Sequence, residues 1–362
     1  MLASIILMIG CVVRPDAGVL KPRKLSQHSG ERIQIISATN RSFDPKTSEF
    51  GVNSELTNRF ESYKLSVPKV RDGTTIRYPT SQPDELRQYI LTSRKAISGD
   101  DMVQKIISAP GFDGTVGVFI HGYNYSHQEA LFRTAQVAAD AKLDVPPVLF
   151  SWPSEAAYTG YVADRDAVLS SRSQLVSVIA LLARSPKVRR VVLFGHSLGG
   201  FLTMEAVRQI KLQGRDNVVQ KLIVILAAPD IDADVFKNQF SDIGKLETPI
   251  TLLVSRTDRA LSVSSFIAKE RVRVGQIDVR ASDIREIASR EKLRVVDISS
   301  LSSHDGMGHD KFASFAKYGA QLTSLEKRRG SRAHEIGAFV FEEKVGSSAS
   351  PFRAAGDMLY PN

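Results

Sequence analysis

Cysteine is almost absent from this chain, with one residue, Cys11, in 362. A lone thiol excludes an intrachain disulfide framework and any cysteine-rich metal site, so the fold must be held by its core. Long apolar runs are missing too: the stretch 2–10 is far short of the roughly 20 residues a membrane-spanning helix needs. There is no internal repeat, which argues against a solenoid or propeller. Negative charge is in deficit, with 39 acidic against 48 basic residues and a net charge of +9. The excess is spread along the chain apart from a cluster at Lys327, Arg328, Arg329 and Arg332. No aromatic or recognition motif is interleaved with that cluster, so it reads as a solvated basic tail, and nucleic acid is not an expected partner. What is abundant is core-forming residues: 43% are hydrophobic, enough to fill a large single domain.

The position of Cys11 matters more than its solitude. It closes the 2–10 run, whose length suits the h-region of an export signal, and Met8-Ile9-Gly10-Cys11 resembles a bacterial lipobox. Met8 stands where leucine is usual, and no basic segment precedes the run. The expectation is a cell-envelope lipoprotein anchored through lipidated Cys11, with a cytoplasmic protein as the alternative. Residues 1–30 are then a signal-like segment and tether, 31–325 a folded domain, and 326–362 a largely flexible basic tail in which only 336–341 looks ordered.

Between those ends, short apolar runs alternate with amphipathic stretches, the signature of consecutive βα units. Strands are expected at 33–38, 63–67, 116–121, 147–152, 191–195, 222–227, 250–255 and 293–297, the first two as an antiparallel edge pair. Helices are expected at 128–141, 164–184, 201–213 and 282–291. In the second of these, Val168, Leu175, Ile179 and Leu182 share one face, as a helix packed on a sheet requires. Segment 72–113 is harder to read; a helical stretch is expected around 85–93. Together these predict an α/β fold in one domain, a mostly parallel doubly wound sheet flanked by helices.

The most informative stretch is Gly195-His196-Ser197-Leu198-Gly199, which follows the apolar run 191–194 and precedes a helix-like stretch. A bare G-x-S-x-G is weak; this strand–turn–helix context is the one in which the pattern presents an exposed nucleophilic serine. Such a serine needs a base, because its hydroxyl is a poor nucleophile at its free pKa. Of seven histidines, His28 lies in the tether, His334 in the tail, His196 within the motif, His121 at a strand end and His127 at a helix start. His304 and His309 follow the last expected strand, as the base should, and His309 is preferred because Gly306-Met307-Gly308 gives it a pliant loop. An acid is expected at a strand's carboxyl end: Asp258 after 250–255, with Asp230 as the rival. Asp230, Asp232 and Asp234 alternate, but lack the glycine and terminal glutamate of a calcium loop, and read as solvated or helix-capping. Two backbone N–H groups should face the developing oxyanion: Leu198, after the serine, and Tyr123, in the His121-Gly122-Tyr123-Asn124 turn.

With these residues in view the chain resembles a family of bacterial α/β-hydrolases described as esterase/lipase-like and mostly lacking an assigned substrate. The resemblance spans roughly 33–322. It rests on 119–124 (F-I-H-G-Y-N), 149–154 (L-F-S-W-P-S), 195–199 (G-H-S-L-G), 228–236 (A-P-D-I-D-A-D-V-F), 255–261 (S-R-T-D-R-A-L) and Gly308-His309. It implies an α/β-hydrolase fold and a serine triad carried by Ser197, Asp258 and His309, with no metal or organic cofactor. The expected reaction is hydrolysis of a small-molecule or lipid ester. Acyl transfer or thioester cleavage by the same triad is the enzymatic alternative, and a non-catalytic envelope binding lipoprotein the alternative of another class. Trp152, the sole tryptophan, is a candidate pocket wall or core filler at a strand end.

Overall fold

The computed structural model describes residues 14–26, 30–269, 271–318, 336–341 and 352–354. Cys11 and the basic cluster at 327–332 lie outside the described residues. In chain order the elements are β1 (Arg32–Asp44), β2 (Glu49–Ser66), β3 (Ile90–Ile97), α1 (Gly99–Ile107), β4 (Thr115–Ile120), α2 (His127–Asp140), β5 (Val148–Ser151), α3 (Tyr161–Arg184), β6 (Arg190–His196) and α4 (Leu198–Leu212). There follow α5 (Asp216–Val219), β7 (Leu222–Ala227), α6 (Ala233–Ile243), β8 (Thr251–Val254), α7 (Arg259–Ile267), α8 (Ser282–Arg290), β9 (Arg294–Asp297), α9 (Lys311–Ala316), β10 (Gly337–Phe341) and β11 (Phe352–Ala354).

The strands form one 11-stranded sheet in the order β11-β10-β9-β8-β7-β6-β4-β5-β1-β2-β3. From β10 to β1 every neighbouring pair is parallel, and antiparallel strands close both edges. Alternation along the strands sorts side chains into two layers: Val116, Val118, Ile120, Val191 and Leu193 face α3 and α4, whereas Phe119 and Leu149 face α2 and α9. Both faces are therefore covered, as a parallel sheet requires, and the architecture is a single α/β domain of the α/β-hydrolase-like kind. α3 is long and apolar enough to cross a membrane, yet it buries Val168, Leu175, Val178, Ile179 and Leu182 inside this core.

Several expectations change in detail. The helical stretch expected around 85–93 is a turn followed by β3. Asp84 Oδ1 accepts from Leu86 N (2.9 Å), and Tyr89, Ile90 and Leu91 are buried as the chain pairs with β2. Tertiary pairing there outweighs the local helix propensity of Glu85-Leu86-Arg87-Gln88. β1 and β2 pair antiparallel as expected, but β1 also pairs with β5, so β3 is the edge. The described part of the tether lies on the body: Asp16 caps a 3-10 turn at Ala17–Leu20, Val19 and Leu20 are buried, and Arg23 N donates to Leu91 O at 2.8 Å. Within the stretch expected to be a tail, β10 pairs with β9 and β11 pairs with β10, so a second segment beyond 336–341 joins the sheet.

Candidate active site

β6 runs into α4 through Ser197, the last residue before the helix. Its φ of 54° and ψ of −123° fall outside the regions open to an L-residue, a strain of about 1–3 kcal/mol. Backbone bonds hold it there: Ser197 N donates to Ala227 O (3.0 Å), and Ser197 O accepts from Gly200 N (2.9 Å) and Asp230 N (3.2 Å). The turn also presses against the end of β4. A Cβ at Gly199 would lie 2.3 Å from the carbonyl oxygens of Ile120 and His121, so only glycine fits. Leu198 opens α4, and its N–H points into the positive end of that helix dipole with no intrahelical acceptor.

Across from the serine, the loop after β9 carries His309. Its Nδ1–H donates to Asp258 Oδ2 at 2.6 Å. The Asp258 side chain is 0% exposed and the His309 ring 16%. Burial alone would depress the imidazole pKa, but Asp258 beside it, with Asp305 and Asp230 further off, raises it above the ordinary value. Asp258 follows β8 and caps α7, its Oδ1 accepting from Leu261 N at 3.1 Å. The histidine loop is shaped by Asp305, whose Oδ1 accepts from Met307 N (2.9 Å) and Gly308 N (2.8 Å) and whose Oδ2 accepts from His309 N (3.0 Å). Lys311 Nζ ties the start of α9 to Thr257 Oγ1 at 2.7 Å, and thus to the Asp258 turn.

The rival residues are engaged elsewhere. His304 Nδ1 lies 2.8 Å from Thr74 Oγ1, away from Asp258. Asp230 accepts from Tyr161 Oη (2.9 Å) and Ser264 Oγ (2.8 Å) and pairs with buried Arg273 (3.3 Å). Asp232 caps α6 by accepting from Asp234 N and Val235 N, as its spacing suggested. Among the described residues no His, Cys, Asp or Glu group is arranged to hold a metal.

Ser197 and His309 share a corner but make no hydrogen bond to each other among the described residues. His196 joins the two sides: its ring centroid is 4.5 Å from that of His309, and its Nε2–H donates to His309 O at 3.2 Å. Burial and the neighbouring His309 hold its pKa well below the ordinary value, so His196 is neutral. Its buried Nδ1 has no hydrogen-bond partner.

The turn after β4 closes the third side. A Cβ at Gly122 would meet Ser197 Cβ and His196 Nδ1, each at 2.9 Å, so this glycine lets the turn sit on the serine. Tyr123 follows, and its hydroxyl donates to Ala157 O at 3.0 Å, pinning the loop before α3. Two buried groups that the sequence did not single out fix this turn. Asp164 accepts from Ser154 Oγ (2.6 Å), Glu155 N (2.7 Å) and Asn124 N (3.2 Å). Arg41 donates to Tyr125 O (2.8 Å), Ser154 O (3.1 Å) and Ser151 Oγ (3.2 Å). Burial lowers its pKa to about 10, so it stays charged at neutral pH. Nothing local marks these two, since their partners come from β4, β5 and the loops beyond.

Trp152 is not a pocket wall. It is 0% exposed, stacks on His121 at 4.8 Å, and donates from Nε1 to His121 O at 2.7 Å. It supports the β4 turn from behind. His121 lies 2.8 Å from Gly122 O and 3.1 Å from Trp152 O. Burial and the Arg41 charge push its pKa down to about 3, so the neutral ring donates to one of these carbonyls.

Residues 99–328, more than half of the chain, match the family described as alpha/beta hydrolase of unknown function (DUF900), and the chain belongs to that family. No curated protein matches it. Among solved structures it is similar to an Agrobacterium vitis S4 protein named as a candidate hydrolase, at 11% identity and a TM-score of 0.32, covering 74% of this chain and 97% of that one. It is also similar to a fungal esterase from Rhizomucor miehei, at 10% identity and a TM-score of 0.33, covering 83% and 86% respectively.

Proposed function

We propose that this protein is a serine hydrolase that cleaves carboxylic esters through an acyl-enzyme on Ser197. The observation that carries the reading is the 2.6 Å His309–Asp258 pair set beside a serine held at positive φ between strand and helix. His309, oriented through Nδ1–H by Asp258, takes the Ser197 hydroxyl proton at Nε2 as Oγ attacks the acyl carbon. The carbonyl oxygen becomes an oxyanion facing Leu198 N–H and Tyr123 N–H, and collapse of the intermediate returns the proton to the leaving alcohol. Water then attacks the acyl-enzyme, giving a proton to His309, and collapse of the second intermediate releases the acid as His309 returns that proton to Ser197 Oγ. Supporting groups have readable roles: Asp305 and His196 shape and brace the histidine loop, while Asp164, Arg41 and Gly122 set the oxyanion turn.

The test is turnover of a short-chain p-nitrophenyl ester. Wild type should hydrolyse it, and Ser197→Ala should fall to the residual rate left when a nucleophile is removed, a loss on the order of 10⁶-fold in kcat. Equal rates in the two proteins would end the proposal.

A further inference from the structure

The candidate site lies at the carboxyl ends of the strands, and the surface on that side carries exposed apolar side chains that the proposed chemistry does not use. Val263, Phe266 and Ile267 lie at helical spacing on the outer face of α7, with Phe266 74% exposed. Val272 follows them at 61%. Tyr158 (70%) and Val162 (69%) flank the start of α3. The two patches are neighbours. Tyr161, next to Val162, and Ser264, next to Val263, both donate to the same Asp230 carboxylate. Exposed Met307 completes the rim two residues from His309, its carbonyl accepting from Arg259 N at 2.8 Å.

Scattered exposed apolar residues are ordinary, but a contiguous set around one opening marks an interaction surface. Its charge selects the partner. Arg259 and Lys269 bracket the α7 face, are exposed, and have no ion-pair partner among the described residues. The rim carboxylates Asp232 and Asp234 are taken by Arg271 (Asp234 at 2.9 Å), and Asp305 by backbone N–H groups. The whole chain carries +9. The Arg14 guanidinium also lies 5.8 Å over the Tyr158 ring.

We propose that this rim docks on an anionic lipid surface, with the α7 face inserted among the acyl chains and Arg259 and Lys269 at the headgroups, so that the site opens onto the membrane. The inference rests on the hydrolase reading only for its consequence, that the substrate is a lipid ester taken from that surface; the docking itself is independent of it.

The test is flotation of the full-length chain with phosphatidylcholine vesicles, with and without phosphatidylglycerol. Wild type and Ser197→Ala should both float with the anionic vesicles, less so at high salt. Phe266→Ser/Ile267→Ser should lose at least about tenfold in partitioning, because two large side chains no longer leave water. The same variant should keep its turnover of a soluble short-chain ester, which also shows that it folds; Lys269→Glu should weaken anionic binding without touching the apolar face. Undiminished flotation of Phe266→Ser/Ile267→Ser would overturn the proposal by assigning binding to the 2–10 run. Absence of flotation by wild type would overturn it outright, as would a wild-type dimer that this substitution dissolves, since a second copy would then be the occupant. Docking without any ester turnover would leave this inference standing and remove the hydrolase reading.

Discussion

Asp258→Asn separates orientation of His309 from mere space filling. Asp258 has two duties: Oδ1 caps α7 through Leu261 N, and Oδ2 accepts the His309 Nδ1–H. Asparagine caps a helix about as well as aspartate, so the capping cost is near zero, whereas alanine there would cost about 1 kcal/mol. What asparagine cannot do is accept at one position while carrying the charge that stabilises the imidazolium. The carboxylate is buried, so little solvent screens that charge. The expected result is a protein with nearly wild-type thermal stability and a kcat lower by about 10⁴-fold, as when a triad aspartate is neutralised. The pH profile adds a second readout. As the proposed base His309 would act when neutral, and Asp258 raises its pKa, so the acid limb of kcat/KM in wild type should lie above the ordinary histidine value of about 6.5. The asparagine variant should move that limb downward. The same shift bears on stability: a raised folded pKa contributes stability fully below the unfolded histidine pKa, and that contribution is lost as pH rises through the folded value. Short-chain ester kinetics between acid and neutral pH, beside thermal melts, measure all of this. A variant within tenfold of wild-type kcat, with an unmoved acid limb, would refute the role given to Asp258.

Other substitutions probe the remaining parts. Gly122→Ala places a methyl 2.9 Å from Ser197 Cβ, and should cost about 1–3 kcal/mol in a chemical melt while lowering kcat more than it raises KM. Trp152→Phe removes the donor to His121 O and a fully packed indole, so about 1–3 kcal/mol of stability should go, with KM for a short ester unchanged. A changed KM with full stability would restore Trp152 as a pocket wall. His304→Ala should retain turnover, because that ring bonds Thr74 rather than Asp258; loss of activity there, with none in His309→Ala, would exchange their roles.

The βα order and the central strands could be read because parallel strands buried on both faces are near-continuous apolar runs, as at Val191-Val192-Leu193-Phe194. β3 could not. Its residues 92–95 are polar, half-exposed at 92–94 and exposed at 95, and only pairing with β2 distinguishes it from a loop. Helices α6 and α7 also escaped, α7 because its outer face is apolar and breaks the expected two-sided pattern. In the candidate site, the contact between Asp258 and His309 could be anticipated from their chain order after strands, a local property. Asp164 and Arg41 were not, since each acts by bonding groups that the fold brings together, whereas Asp305 bonds backbone only two to four residues ahead, a local turn. Trp152 stayed open between pocket wall and core filler because strand ends look alike in sequence whether a side chain turns outward or into the core.

The central claim is that Ser197 is an activated nucleophile, and intact-protein mass spectrometry after exposure to a fluorophosphonate tests it most directly. The account predicts a single covalent adduct on wild type, mapped to Ser197, that forms far more slowly in His309→Ala and is absent from Ser197→Ala. Wild-type protein that stays unmodified while a control serine hydrolase is fully labelled would contradict it.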